Sequence, residues 1–251
     1  MHALLTALLD LVLAPVCLAC EAVIDARDPA RFVCRRCRAR LRAVPAPICL
    51  RCGAPRLKTG RTVEATCPEC ADWPTTLRHA RSACILHDPA DRIVYQIKYN
   101  GWKALAAPMA ERMAATLAAD ATGRDAAVVV PVPTTATRLR TRGYNQAHLI
   151  AAALAEVTGR VLLNALERAG STVSQTGLQP ASRSANVAGA FFVPHTLAAS
   201  IENAHVLLVD DVLTTGATAV ECANALAAAG SADITVVTFA RALDARRLLA
   251  M

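Results

Sequence analysis

Aromatic residues are scarce in this sequence, at 4% of 251 residues. A core must therefore be built from aliphatic side chains and alanine. No run of 18 or more residues is both apolar and uncharged, so no segment reads as a membrane-crossing helix. A G-x-x-x-x-G-K loop is lacking, as is a G-x-G-x-x-G turn, which excludes the two common nucleotide-binding fingerprints. Thirteen prolines against eleven glycines show no period, so the chain is not collagen-like. The 54% hydrophobic fraction excludes a disordered chain, and the length is enough for one large domain or two small ones.

Positive charge is missing where an export signal would need it. Apart from His2, the first basic side chain is Arg27, and Asp10 interrupts the apolar start. Leu4, Leu5, Leu8, Leu9 and Val12 fall at helical spacing and predict an amphipathic helix packed on the next element. The expected compartment is the cytoplasm, where thiols stay reduced.

What the sequence does have is concentrated early. Nine of its ten cysteines precede residue 85. Eight form four C-x2-C pairs: Cys17 and Cys20, Cys34 and Cys37, Cys49 and Cys52, Cys67 and Cys70. The pattern repeats after 32 or 33 residues, giving two copies of one unit. Two facing C-x2-C turns supply the tetrahedral four-sulfur cage that zinc accepts. One zinc is assigned to Cys17, Cys20, Cys34 and Cys37, the other to Cys49, Cys52, Cys67 and Cys70. Spacing alone leaves an iron–sulfur cluster open. Four thiolates close the coordination sphere, so the metals are structural. Cys84 and Cys222 read as small buried apolar residues.

The formal charge is +7. Residues 21–82 hold 13 Lys or Arg against 6 Asp or Glu, which accounts for the whole excess. Arg31, Arg35, Arg36, Arg38, Arg40 and Arg42 cluster there. They suit phosphate backbones, or they offset the anionic zinc–thiolate centres while facing solvent. Further on, Tyr95, Lys98, Tyr99, Trp102 and Lys103 interleave aromatics with cations, as single-strand-binding surfaces do and as packed helices also do. The nucleic-acid candidates are Arg35, Arg36, Arg38, Tyr99 and Trp102.

From residue 83 strands and helices alternate, which predicts a parallel α/β sheet flanked by helices, with a domain boundary between residues 78 and 79. Strands are expected at 83–86, 127–132, 161–163, 190–193, 205–209 and 233–239. Helices are expected over 92–119, broken near Asn100-Gly101, over 146–157 and over 216–229. Residues 168–186 have turn composition and read as a functional loop.

The most informative stretch is His205–Thr218, H-V-L-L-V-D-D-V-L-T-T-G-A-T. Apolar residues form a central strand, and Asp210 and Asp211 are expected to emerge at its C-terminal end, where open α/β sheets bind ligands. Thr214–Thr218 turns into a helix whose N–H groups and dipole suit a phosphate. Two carboxylates repel a phosphate but suit ribose hydroxyls or magnesium. Together these groups describe a site for a sugar phosphate held at both ends.

This pattern resembles the phosphoribosyl-pyrophosphate (PRPP) signature of type I phosphoribosyltransferases. The stretches V-P-V-P (130–133), R-L-R-T-R-G-Y-N-Q (138–146), Q-T-G-L (175–178), R-S-A-N-V (183–187) and I-K-Y-N-G (97–101) further resemble the ComF family of competence-associated proteins, which also carry an N-terminal cysteine-rich zinc segment. The resemblance implies a type I phosphoribosyltransferase-like fold behind a double zinc ribbon, and a role in uptake or use of single-stranded DNA. It implies PRPP with magnesium as ligand, and a competence helicase or uptake protein as partner. Asp210 and Asp211 would meet the ribose. Thr214, Thr215, Gly216, Ala217 and Thr218 would hold the 5′-phosphate. Val132 and Pro133 match the pyrophosphate loop, with Arg138, Arg140 and Arg142 beside it. Residues 168–186 match the hood over the site. Asp210, Asp211 and Arg168 are the catalytic candidates. Only Arg168 precedes Gln175 in this hood, which weakens neutralisation of a leaving pyrophosphate. The resemblance leaves open two other roles: a working transferase of nucleotide metabolism, or a zinc-ribbon adaptor with a vestigial site.

Overall fold

The computed structural model describes residues 15–25, 28, 31–56, 67–120, 122–169 and 189–243, and the backbone of 58–59 and 62–63. The N-terminal helix expected before residue 15 and most of the expected hood, 170–188, lie outside the described residues.

In chain order the described elements begin with helix α1 (Arg35–Arg40) and the short strands β1 (Lys58–Thr59) and β2 (Thr62–Val63). Strand β3 (Leu77–Ile85), helix α2 (Ala90–Tyr99), a 3-10 turn (Lys103–Leu105) and helix α3 (Ala106–Asp120) follow. Next come β4 (Val128–Pro131), α4 (Ala136–Arg142), α5 (Gln146–Thr158), β5 (Val161–Leu162), β6 (Glu167–Arg168) and β7 (Phe191–Phe192). The chain then forms α6 (His195–Ala198), β8 (His205–Leu213), α7 (Ala217–Ala228) and β9 (Asp233–Arg241).

Five strands make one parallel sheet in the order β3-β9-β8-β4-β5. β8 and β9 sit at its centre and are apolar over most of their length, as strands covered on both faces must be. One face carries α2, α3 and α5, packed through Ile93, Met109, Met113, Ile150 and Leu154. The other carries α7, packed through Ala219, Cys222, Ala223 and Leu226. Alanine lets these helices come close, which is how a core with so few aromatics still closes.

Three expectations need correction. The strand expected at 190–193 is only β7, which pairs antiparallel with β6 in a separate two-stranded sheet. Strand β3 starts at Leu77, six residues before the apolar stretch at 83, because its polar residues find partners inside the protein. Ser82 meets Thr238 Oγ1 at 2.7 Å, and Arg81 is 5% exposed yet ion-paired with Asp120. Strand β8 runs through Leu213, so Asp210 and Asp211 lie within the strand, not beyond its end.

The two cysteine units pack on opposite faces of the sheet. Cys17, Leu18, Ala19, Val33 and Cys37 join the core under α2 and α3. Cys52, Ala54, Cys70 and Trp73 join the core with α7. Gly53 makes the second approach possible: a Cβ there would lie 2.6 Å from the Ala80 carbonyl oxygen of β3.

Candidate ligand site and metal centres

Topology alone defines a crevice. From β4 the chain crosses through α5 to β5 on one side, and from β8 it crosses through α7 to β9 on the other. The direction reverses between β4 and β8, the point where open α/β sheets bind ligands outside the carboxyl ends of their strands. Pairing of β4 with β8 ends at Pro131 opposite Val209, with one further bond from Val132 N–H to Val209 O at 2.9 Å. Asp210 and Asp211 follow immediately, where β4 has departed. Asn145 caps α5 through Oδ1 and donates from Nδ2 to Val132 O at 2.9 Å, pinning the departing segment.

The two acids differ in environment. Asp211 is 3% exposed; its Oδ1 meets Lys98 Nζ at 2.9 Å, while its Oδ2 is buried with no hydrogen-bond partner. Asp210 Oδ1 accepts from the Asp211 N–H at 2.8 Å. Burial first, and the Asp211 carboxylate second, push the Asp210 carboxyl up to about 7, against the pull of that N–H, Lys98 and Arg138. An orphaned carboxylate oxygen beside a carboxyl reluctant to ionise is a site that a divalent cation or a sugar diol would relieve. Lys98, at the end of α2, was not assigned this place from the sequence, because pairing across 113 residues leaves no local signal.

Beyond β8, Thr214, Thr215 and Ala217 are exposed, Thr218 is half-buried, and Gly216 is buried as the N-cap of α7. Gly216 adopts φ +85°, and a Cβ there would lie 2.9 Å from Trp73 Cζ2. Conformation and space both demand glycine. Thr215 Oγ1 accepts from the Ala217 N–H at 3.4 Å.

The remaining candidates divide. Val132 is buried, Pro133 half-buried, and the neighbouring Thr134 Oγ1 is buried without a partner. Arg138 is exposed on α4 and acts on Asp210 through space. Arg142 turns away, bonding Gln146 Oε1 with its guanidinium 5.5 Å from the Tyr99 ring centroid. Arg140 reaches Thr137 Oγ1 at 3.4 Å. Arg168 is half-buried over Phe191, 5.0 Å from its centroid. Tyr99 and Trp102 are exposed, and Tyr95 and Tyr99 lie 5.0 Å apart. Arg35 and Arg36 are exposed, but Arg38 is ion-paired with Asp28. Cys84 and Cys222 are fully buried, as expected of small apolar residues.

Each cysteine unit closes a cage. The four Sγ atoms of Cys17, Cys20, Cys34 and Cys37 all lie within 4.8 Å of one another, as do those of Cys49, Cys52, Cys67 and Cys70. The Cys20–Cys34 and Cys49–Cys70 separations are 3.8 Å, and Cys52–Cys67 is 3.6 Å. A tetrahedron of sulfurs each about 2.3 Å from zinc has an edge of about 3.8 Å, so two zinc ions fit. A disulfide would require about 2.05 Å, and all ten cysteines are free. Backbone N–H groups aim at the sulfurs, as from Cys34 to Cys17 Sγ at 3.3 Å. Burial works to raise the Cys17 and Cys49 thiols, but backbone N–H groups bring each down to about 7. Burial and adjacent thiols drive Cys37 and Cys52 up.

A parallel sheet whose switch point presents an acidic pair and a phosphate-type turn, behind two four-cysteine ribbons, defines a phosphoribosyltransferase-type domain with a metal-binding front. The sequence comparison agrees: residues 102–248 match the phosphoribosyl transferase domain family, to which the chain belongs, and residues 8–77 match the double zinc ribbon domain. The chain is 27% identical over 210 residues to competence protein ComFC of Bacillus subtilis strain 168, covering 81% of each protein. It is 28% identical over 200 residues to DNA utilization protein YhgH of Salmonella typhimurium strain LT2, covering 78% of this chain and 85% of that one. The solved allosteric regulatory enzyme of purine biosynthesis is 22% identical at a TM-score of 0.35, over 53% of this chain and 26% of that one, a likeness too slight to bear on function. No described helix is long and apolar enough to cross a membrane.

Proposed function

We propose that the chain is a ComF-type protein of the cytoplasm that supports uptake or use of single-stranded DNA and binds PRPP with magnesium at the end of β8. The observation that carries this reading is the buried acidic pair, with one orphaned oxygen, next to a glycine-capped helix start at the switch point of the sheet. Relatives named for competence and for DNA utilization set the biological context.

Roles follow from charge. Asp210 and Asp211 would accept hydrogen bonds from the ribose hydroxyls. Thr214, Thr215, Gly216, Ala217 and Thr218 would wrap the 5′-phosphate, with backbone N–H groups at the positive end of the helix dipole. Val132 and Pro133 would border the pyrophosphate, and Arg138 would offset its charge. Arg142 would do so after leaving Tyr99, and Arg168 from the hood side. Magnesium, when bound, would screen the charge on the pyrophosphate. Any transfer step breaks the bond between C1 of the ribose and the pyrophosphate oxygen, so cationic side chains near the leaving group and exclusion of water are what the protein must supply. For DNA, the exposed rings of Tyr99 and Trp102 would stack bases, while Arg35 and Arg36 would meet phosphates.

Titration of zinc-loaded protein with PRPP, with and without magnesium, tests the site. Saturable, magnesium-dependent binding that disappears in Asp210→Asn/Asp211→Asn is expected. No heat at millimolar ligand sinks the reading. Binding to a labelled oligonucleotide that weakens with salt and in Tyr99→Ala/Trp102→Ala is expected for the DNA surface, and unchanged binding in that variant removes it.

A further inference from the structure

The second ribbon reaches the phosphate loop, and the contact is a designed one in its chemistry. Arg51 lies between the zinc ligands Cys49 and Cys52. Its guanidinium donates to four carbonyl oxygens of one downstream segment: Cys70 at 3.0 Å, Trp73 at 3.0 Å, Pro74 at 2.7 Å and Leu77 at 3.2 Å. That segment runs from the last zinc ligand to the first residue of β3. A single planar side chain thus fixes the stretch of backbone that leads from the cage into the sheet. The Trp73 N–H adds a bond to the Cys70 carbonyl at 3.3 Å.

So held, Trp73 is 8% exposed, and the Nε1–Cε2–Cζ2 edge of its indole lies against Gly216. The ring edge is close: Cζ2 lies 2.9 Å, and Cε2 and Nε1 each 3.4 Å, from where a Gly216 Cβ would sit. Gly216 is the N-cap in the middle of the loop that would meet a phosphate, and its φ of +85° sets the direction of the N–H groups after it. Within the loop the Thr215 to Ala217 contact is long at 3.4 Å, while Gly216 O accepts from the Val220 N–H of α7 at 2.9 Å. The indole packs against the loop at that same glycine.

We infer that Trp73 is a positioning residue for the ligand's phosphate group, a prop carried by the zinc-bound turn of the second ribbon and clamped there by Arg51. The inference rests on the sugar-phosphate reading above. It adds that the second ribbon is a working part of the phosphate end of the site and leaves the acidic end alone, since Asp211 is held from the opposite side by Lys98 of α2. It also means that the metal of the second ribbon bears on ligand affinity, because removing it frees Cys70 and with it the segment that presents Trp73.

The test uses the full chain with two zinc equivalents confirmed by metal analysis, and calorimetric titration with two probes. Ribose 5-phosphate reports on the phosphate loop, and magnesium pyrophosphate reports on the other end. Trp73→Ala is expected to weaken ribose 5-phosphate by about ten- to hundredfold, the loss when a charge-assisted hydrogen bond is misaligned, with magnesium pyrophosphate unchanged. Trp73→Phe keeps an apolar ring but withdraws the edge under Gly216. It is expected to show a smaller selective loss, and it carries the test if Trp73→Ala does not retain zinc. In a Trp102→Phe background Trp73 is the sole tryptophan. Its emission should then shift with ribose 5-phosphate and not with magnesium pyrophosphate. Zinc-replete Trp73 variants that bind ribose 5-phosphate like the parent overturn the prop, as does an equal loss of both probes. A parent protein that binds neither probe overturns the sugar-phosphate reading itself, and the prop with it.

Discussion

The two ribbons are the same device put to different uses. Their cysteine spacing repeats and their sulfur cages have nearly equal edges, yet they dock by different chemistry. The first ribbon leans on α2 with backbone carbonyls: Ala19 O accepts from Arg92 at 3.0 Å and Leu18 O from Gln96 at 3.1 Å. Two of its cations pair near the surface, Arg38 with Asp28 and Arg40 with Asp88. The second ribbon is seized by buried arginines of the sheet. Arg241, 2% exposed, donates to Cys52 O at 2.8 Å and pairs with Glu69; Arg81 donates to Leu50 O at 2.9 Å. Four thiolates and one zinc ion leave a charge of −2, and these guanidiniums bring compensating charge to it. The cysteines specify a cage, and the residues around them specify what that cage is for.

The strongest challenge to this contrast is removal of one metal at a time. Cys70→Ser should cost several kcal/mol or abolish folding, because it removes the anionic metal centre beside the buried Arg241 and Arg81 and releases Trp73. Cys37→Ser should cost less, since the first ribbon leaves no buried guanidinium behind. Thermal unfolding of the two variants decides it, and equal losses would erase the asymmetry. Next in size, Glu69→Gln should destabilise by about 2–4 kcal/mol through Arg241, against about 0.5–1 kcal/mol for Asp28→Asn at the more exposed pair of the first ribbon. Urea titrations measure both, and similar values would show that burial does not separate the two.

A third test concerns the acids that α2 reaches from the first-ribbon side. Asp210 has its carboxyl raised in the folded state, so folding binds a proton there. The resulting stability is complete at low pH and is lost as pH rises through about 7. Ligand-free protein should therefore lose stability as pH rises from about 4 to about 7 and level off above that, a slope that Asp210→Asn removes. Lys98→Gln withdraws a cation that pulls Asp210 down, so it should move the loss to higher pH. A slope that survives Asp210→Asn places its origin elsewhere. The smallest effect is expected for Gln96→Leu, which removes the hydrogen bond to Leu18 O and an exposed one from Asn100 and should cost about 1 kcal/mol without altering zinc content.

Much of this could be read from residue order because it is local. The cages follow from C-x2-C turns, and the acidic pair with T-T-G-A-T announces strand, turn and helix in fourteen residues. What could not be read depends on distant partners. β3 looked like a strand only from residue 83, since Arg78, His79, Arg81 and Ser82 break the apolar pattern and are accommodated by Asp233, Leu50, Asp120 and Thr238. Lys98 read as part of an aromatic–cation surface, but it points into the sheet. Helix α4 buries no residue, so no apolar stripe announces it. Trp73 gave no sign at all, since its meaning lies in a glycine 143 residues away.

Strand β9 is the last of the described strands, yet it lies between β3 and β8, and Arg241 at its end grips a carbonyl 189 residues earlier. A nascent chain can load both zinc ions long before this strand exists. Until residue 241 has been made, β3 has no neighbouring strand and the second ribbon lacks its bonds from Arg241, so the sheet remains open through its middle and not merely at an edge. Completion of the ligand crevice thereby waits for β9, and the long-range pairing makes this a slow-folding topology whose early stages expose strand edges.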